Sequence, residues 1–186
     1  MEIRAFLDFL SIAEKLKCNT RHSYTSSGRH ESVAEHSWRL ALMAYLVKDE
    51  FPAADIDKVI RMCLFHDMGE AVTGDIPAFE KTSQDEAVES TAVARLLEQL
   101  PEPCHTEVAE LFREMDAQQT TEARLYKALD KLEALIQHNE ADLSTWIPLE
   151  YDLQMTYGTK ECSFSEYINE LRNVVREDSR KKAGME

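Results

Sequence analysis

The chain has 186 residues and a mass of 21.4 kDa, one domain's worth, and its 44% apolar and 30% charged residues are globular rather than disordered composition. Five Gly and five Pro leave few turns, which argues against an all-β sandwich, and neither GxGxxG nor GxxxxGK[ST] occurs, so Rossmann and Walker-type phosphate loops have no support. With 21 Lys and Arg against 35 Asp and Glu, the formal charge of −14 repels a nucleic-acid backbone, and a small phosphorylated substrate too unless a metal ion or local Arg reverses the field.

The apolar period is helical nearly throughout. Ile3, Phe6, Leu7, Leu10, Ala13 and Leu16 predict a first amphipathic helix. Residues 18–31 follow without periodicity, and a loop of that length in a compact helical domain is often functional. Val33, Leu40, Met43, Ala44 and Val47 predict a second helix, with Ser32 as N-cap and Glu35 three residues on. Ile56, Val59, Ile60, Cys63 and Leu64 mark a third, which runs into His66 and Asp67 and ends near Gly69 or Gly74. Val88, Ala92, Leu96 and Leu97 give a fourth, closed by Pro101 and Pro103, and Val108, Leu111 and Phe112 a short fifth. Leu125, Ala128, Leu129, Leu132, Leu135 and Ile136 give a long sixth. Residues 139–163 resist placement, and Phe164, Tyr167, Ile168, Leu171 and Val175 mark the last helix. No strand alternation stands out. The expectation is an all-α single-domain bundle over residues 1–177 with a polar, frayed C-terminal tail over 178–186. Four Cys without CxxC spacing and no apolar leader read as reduced thiols in a cytoplasmic protein, and no run of 18 apolar residues suggests a membrane span.

The densest polar cluster is Phe65-His66-Asp67-Met68-Gly69-Glu70, followed by Thr73-Gly74-Asp75. Continuing the third helix's stripe puts Asp67 near its centre, and an ionised carboxylate facing a core needs a partner. A divalent cation is one. Glu70 lies one turn along on the same side. His36 falls on the apolar face of the second helix. Taken alone it is a satisfied core histidine; with a second inward His followed by Asp, it reads as the start of a metal site. Asp130, off the centre of the sixth helix's leucine stripe, is by itself a solvated helix residue.

The order His36, then His66-Asp67, then Asp130, together with ESVAEHS, HDMGE followed by TGDIP, and KALDKLEAL, resembles the HD-domain metal-dependent phosphohydrolases, and within them the small 5′-deoxynucleotidase branch. The resemblance covers roughly residues 1–138. It implies an HD-type helical bundle binding one divalent metal ion (Co²⁺, Mn²⁺, Zn²⁺, Fe²⁺ or Mg²⁺) through His36, His66, Asp67 and Asp130, with positions left for water and a phosphoryl oxygen. It implies catalytic roles for Glu70 and Asp75, one orienting the attacking water and one protonating the leaving 5′-oxygen. It implies a phosphate contact for Arg21, and it puts His22 at a sugar-facing position where well-known members carry a Trp, which opens the question of ribose against deoxyribose. Pairing of two copies through helices as a homodimer is implied as well.

The implied function is a phosphohydrolase that removes the 5′-phosphate from (deoxy)nucleoside 5′-monophosphates, with small-molecule nucleotides as partners and no nucleic acid or membrane. Two alternatives stand beside it: a (d)NTP triphosphohydrolase or alarmone-type pyrophosphohydrolase on the same scaffold, and a metal-stabilised nucleotide-binding module without turnover. Elsewhere, Cys63 reads as core, Trp38 and Trp146 as packing residues, His105 and His138 as surface residues, and Glu107–Glu122 as a solvated face in which Glu114 and Glu122 have no assigned role.

Overall fold

The computed structural model describes residues 1–185. Helix α1 (Ile3–Ala13) passes through a 3-10 turn (Glu14–Lys17) into a hairpin of strands β1 (Thr20–Tyr24) and β2 (His30–Ser32). Then come α2 (Val33–Leu46), α3 (Ile56–Phe65), the one-turn α4 (Glu70–Thr73), α5 (Ser83–Leu97), α6 (Cys104–Ala117) and α7 (Thr121–Glu140). The chain closes with α8 (Pro148–Thr156), α9 (Thr159–Cys162) and α10 (Glu166–Ala183).

The core forms where the apolar stripes of α2, α3 and α7 meet. Leu40, Val59, Met62, Leu125, Leu129 and Leu132 are fully buried in it, and α6 and α10 add Leu111, Met115, Ile168 and Val175. Cys63 is core, as the stripe of the third helix suggests, and Trp146 is buried, in keeping with a packing residue. Helix α2 starts where the sequence places it: Ser32 Oγ accepts from the Glu35 amide, and the Glu35 carboxylate accepts from the Ser32 amide at 2.9 Å, a complete capping box.

The all-helical expectation holds apart from the hairpin. The 18–31 stretch is not a plain loop. Its strands pair antiparallel, with Thr20 opposite Ser32 and Tyr24 opposite His30 and an irregular register between. Strands this short carry too few alternating apolar positions to show a period of two. The fifth helix, expected to be short, spans 14 residues. The 139–163 stretch holds α8 and α9, which are too short for an apolar stripe to repeat.

The frayed-tail expectation needs correction. Helix α10 continues through Ala183, because the buried Ser179 hydroxyl bonds Asn139 Oδ1 at 2.8 Å and Gln154 Oε1 at 3.1 Å. A polar sequence thus packs by hydrogen bonds instead of apolar contacts; Glu186 lies outside the described residues. Trp38 is 64% exposed and packs into no core of this chain. Glu114 and Glu122 gain a structural role. Both approach Lys58 Nζ, at 2.9 and 3.9 Å, and Glu122 also accepts from the Asp55 amide, tying the start of α3 to α6 and α7.

Candidate metal centre

The three central helices deliver the chemistry. His36 comes from the end of the first turn of α2, Asp130 from the middle of α7, and His66-Asp67 from the turn that ends α3. His36 Nε2 lies 3.3 Å from Asp130 Oδ1 and 3.9 Å from Asp67 Oδ2; His66 Nε2 lies 3.0 Å from Asp67 Oδ2 and 3.8 Å from Asp130 Oδ1. The donor atoms of His36, His66 and Asp67 all lie within 4.8 Å of one another, a spacing that suits a common centre, and Asp130 stands beside both imidazoles.

The outer nitrogens point the same way. His66 Nδ1 donates to the Cys63 carbonyl at 2.8 Å, and His36 Nδ1 donates to the buried Glu133 carboxylate. Each imidazole is thereby oriented with Nε2 turned inward, and both Nε2 atoms are buried without a hydrogen-bond partner. Two nitrogen and two carboxylate donors suit a first-row divalent cation.

Electrostatics fit as well. Burial and the Arg21 charge work against protonation of His36, yet the carboxylates of Glu133 and Asp130 lift it to about 9. What draws a proton to that nitrogen also draws a cation. Burial disfavours the Asp67 and Asp130 carboxylates, but His66 beside the first and Lys127, 3.0 Å from the second, hold both below the usual carboxylate range.

Glu70, one turn past His66, is buried with Oε2 unpaired; burial and the nearby charges of Asp67, Asp75 and Glu89 push its carboxyl up to about 10. Two glycines explain its placement. A Cβ on Gly69 would lie 2.7 Å from Glu89 Cγ, so only glycine lets α4 approach α5 this closely. Gly74, at φ +77°, turns the chain out of α4 so that Asp75 follows on the same wall. Asp75 is raised too, by burial and the Asp67 charge, with Arg21 opposing.

Arg21 reaches the cluster from β1. Its NH1 donates to Glu31 at 3.1 Å and to Glu133 at 3.3 Å, and the charges of Asp67 and Asp130 add to those that keep it protonated. Two cavities flank the centre. One, of about 690 Å³, exposes His66, Asp67, Lys81, Lys127 and Asp130. The other, of about 230 Å³, opens beside Arg21, His22 and Asp75 and is walled by Phe79, Leu135 and Leu153.

Residues that periodicity treats as separate are thus brought together. Asp130 is not a solvated residue: only 13% of its side chain is exposed, because α7 lies at the centre of the bundle and buries more than its leucine stripe. His138 is not a surface residue either; it stands inside the smaller cavity, where its Nε2 lies 3.3 Å from Glu150. Arg29 and His30 stay on the exposed side of the hairpin. Glu133 was invisible to the motif, although it sits three residues after Asp130, one turn along the same face. Beside His36 and Arg21 it accepts from Arg39 Nε at 2.7 Å.

Comparison with known proteins places this arrangement. Residues 13–172 match the model of the HD domain. The chain is 34% identical over 141 residues to human 5′-deoxynucleotidase HDDC2, spanning 74% of this chain and 68% of that one. It is 32% identical over 165 residues to 5′-deoxynucleotidase hdd1 of Schizosaccharomyces pombe, spanning 78% and 80%. It superposes on a predicted metal-dependent phosphohydrolase from Magnetospirillum magnetotacticum with a TM-score of 0.82 and 30% identity, over 97% of this chain and 94% of that one. A match over that much of its length makes this chain a member of the HD-domain family.

Proposed function

We propose that the chain is a metal-dependent phosphomonoesterase that removes the 5′-phosphate from (deoxy)nucleoside 5′-monophosphates. The observation that carries this reading is the convergence of two unpartnered imidazole nitrogens and two ionised carboxylates beside the unpaired, buried carboxyl of Glu70. His36, His66, Asp67 and Asp130 would hold one divalent ion. Such an ion supplies a Lewis acid for the phosphoryl oxygen and lowers the pKa of a water.

The remaining groups have complementary tasks. Arg21, with NH1 anchored by Glu31 and Glu133, offers its other donors to phosphate oxygens. Glu70, the deeper and more strongly raised of the two carboxyls, is suited to protonate the leaving 5′-oxygen. Asp75 is suited to orient the attacking water. The cavity beside Arg21 and His22 takes the nucleoside.

The test is release of inorganic phosphate from dNMPs, NMPs and dNTPs after metal stripping and separate addition of Co²⁺, Mn²⁺, Mg²⁺, Zn²⁺ and Fe²⁺. Phosphate from monophosphates, abolished by EDTA and restored by at least one of these ions, is expected. Tripolyphosphate from dNTPs with no phosphate from monophosphates would replace this reading with a triphosphohydrolase. Tight nucleotide binding without turnover would make the chain a binding module.

We further propose a homodimer in the cytoplasm. Ile3, Phe6, Leu7 and Leu10 leave an apolar stripe of α1 exposed, and Trp38, Leu42, Tyr45 and Leu46 do the same on α2, more surface than a monomer usually shows to water. Cys18, Cys63, Cys104 and Cys162 are all free thiols, which suits a reducing compartment, and among the described residues no helix is long and apolar enough to cross a membrane. Light scattering should give twice the chain mass, and Leu46→Glu together with Trp38→Glu should halve it; a monomer at micromolar concentration would refute the pairing.

A further inference from the structure

The turn that carries Glu70 cannot hold itself in place. Helix α4 has four residues, far fewer than the roughly 12–15 an isolated helix needs, so its geometry comes from its neighbours. The Glu70 amide donates to the Asp67 carbonyl at 3.0 Å, and the Glu70 carbonyl accepts from the Gly74 amide at 2.9 Å. A carbonyl oxygen has a second lone pair. Here it is taken from far along the chain: Asn19 Nδ2 donates to Glu70 O at 2.5 Å.

Asn19 is itself firmly held. It lies between the 3-10 turn and β1, where its amide donates to the Lys15 carbonyl at 2.9 Å. Its carbonyl accepts from the amide of Val33, the first residue of α2, at 3.0 Å. The segments that Asn19 joins are also packed together, since Leu16, Val33, Met68 and Ala71 form one buried apolar cluster. Its side chain is therefore a strut between two fixed points. It lines neither cavity beside the metal centre, so it touches neither ion nor substrate.

The strut ends at a residue whose carboxyl is weakly tied. Glu70 Oε2 is buried without a hydrogen-bond partner, so the backbone decides where this acid sits. Two residues beyond Asn19 the same segment delivers Arg21, the proposed phosphate contact. One short stretch thus fixes the phosphate-binding guanidinium and, through a single amide, the acid opposite it.

We infer that Asn19 is a positioning residue: it pins the backbone of Glu70 to the segment leading into Arg21 and so sets the reach of the Glu70 carboxyl to the leaving 5′-oxygen. This rests on the phosphomonoesterase reading above, with Glu70 as the acid. In that reaction water attacks phosphorus, the bond from phosphorus to the 5′-oxygen breaks, and the Glu70 proton passes to that oxygen.

The experiment measures phosphate release from dAMP and from deoxyadenosine 5′-S-phosphorothiolate, whose sulfur leaves as a thiolate and needs no proton. It uses metal-loaded wild type, Asn19→Ala and Asn19→Asp. Alanine deletes the donor; aspartate keeps the volume but turns an oxygen toward the carbonyl. Both variants should bind metal with wild-type stoichiometry and melt within about 5 °C of wild type, the shift that one neutral hydrogen bond accounts for. On dAMP, kcat should fall roughly ten- to a hundredfold with KM within about threefold of wild type, because misplacing a reacting group by ~1 Å costs about that much. On the thiolate-leaving substrate the loss should stay below about threefold. An equal loss on the two substrates overturns the inference, since Asn19 would then serve the fold or the metal centre and not the acid. Wild-type kcat on dAMP in Asn19→Asp overturns it as well. A wild-type chain that releases phosphate from neither substrate would instead overturn the phosphomonoesterase reading, and this inference with it.

Discussion

Asp67→Ala should lose bound metal and phosphate release together, with turnover down by more than about a hundredfold. The bound reflects scale: removing even an outer partner of a metal ligand costs about 10–100-fold. Asp67 offers an oxygen 3.0 Å from His66 Nε2 and 3.9 Å from His36 Nε2, so its loss opens the cluster on the side of both imidazoles. The fold should survive, because the side chain lies on the cavity wall and not in the leucine core. Elemental analysis and phosphate release on the same preparation check this. Full turnover with stoichiometric metal would remove Asp67 from the ligand set.

Replacing Glu133 should cost stability as well as activity. This carboxylate is fully buried and accepts from His36, from Arg39 and from Arg21 at once. Burial alone would raise it, but His36 and the two guanidinium groups hold it near 2. Glu133→Ala leaves those cations without their shared partner, a change worth about 3–5 kcal/mol for a buried pair. That is a large part of the ~5–15 kcal/mol that holds a domain folded. Glu133→Gln keeps the volume and one acceptor, so most of the stability should remain while turnover drops about 10–100-fold as His36 loses its anchor. Urea unfolding of both variants separates the two effects. An alanine variant with a wild-type midpoint would show that solvent reaches the two arginines and replaces the carboxylate.

Much of this was legible in the chain because helices advertise their buried face. The stripe Leu125, Leu129, Leu132 marks α7, and Ser32 with Glu35 marks the start of α2. Periodicity reports which face is buried, not which polar groups meet there. It therefore undervalued Asp130 and passed over Glu133, a carboxylate sitting among leucines whose only signal was its position one turn after Asp130. The hairpin escaped for another reason: β2 has three residues, fewer than any alternation needs to repeat. His22 and His138 approach Glu150 of α8 at 3.0 and 3.3 Å from β1 and the end of α7, and no spacing within one element could announce such a group.

The distribution of the proposed metal donors along the chain also bears on how the protein would acquire an ion. His36, His66 and Asp130 come from three separate helical segments, and only the completed packing of α2, α3 and α7 sets both imidazole Nε2 atoms 3.3 and 3.8 Å from Asp130 Oδ1. An unfolded chain would have to close loops of about 30 and then 60 residues to gather the same atoms, an entropic cost that no single contact repays. The denatured ensemble is therefore a poor chelator, and binding selects the native state. At a free ion concentration a thousand times the dissociation constant, that selection adds about 4 kcal/mol to the stability of the fold. Heat resistance thus becomes a readout of occupancy: the concentration of each ion that raises the melting temperature ranks their affinities without any substrate being turned over.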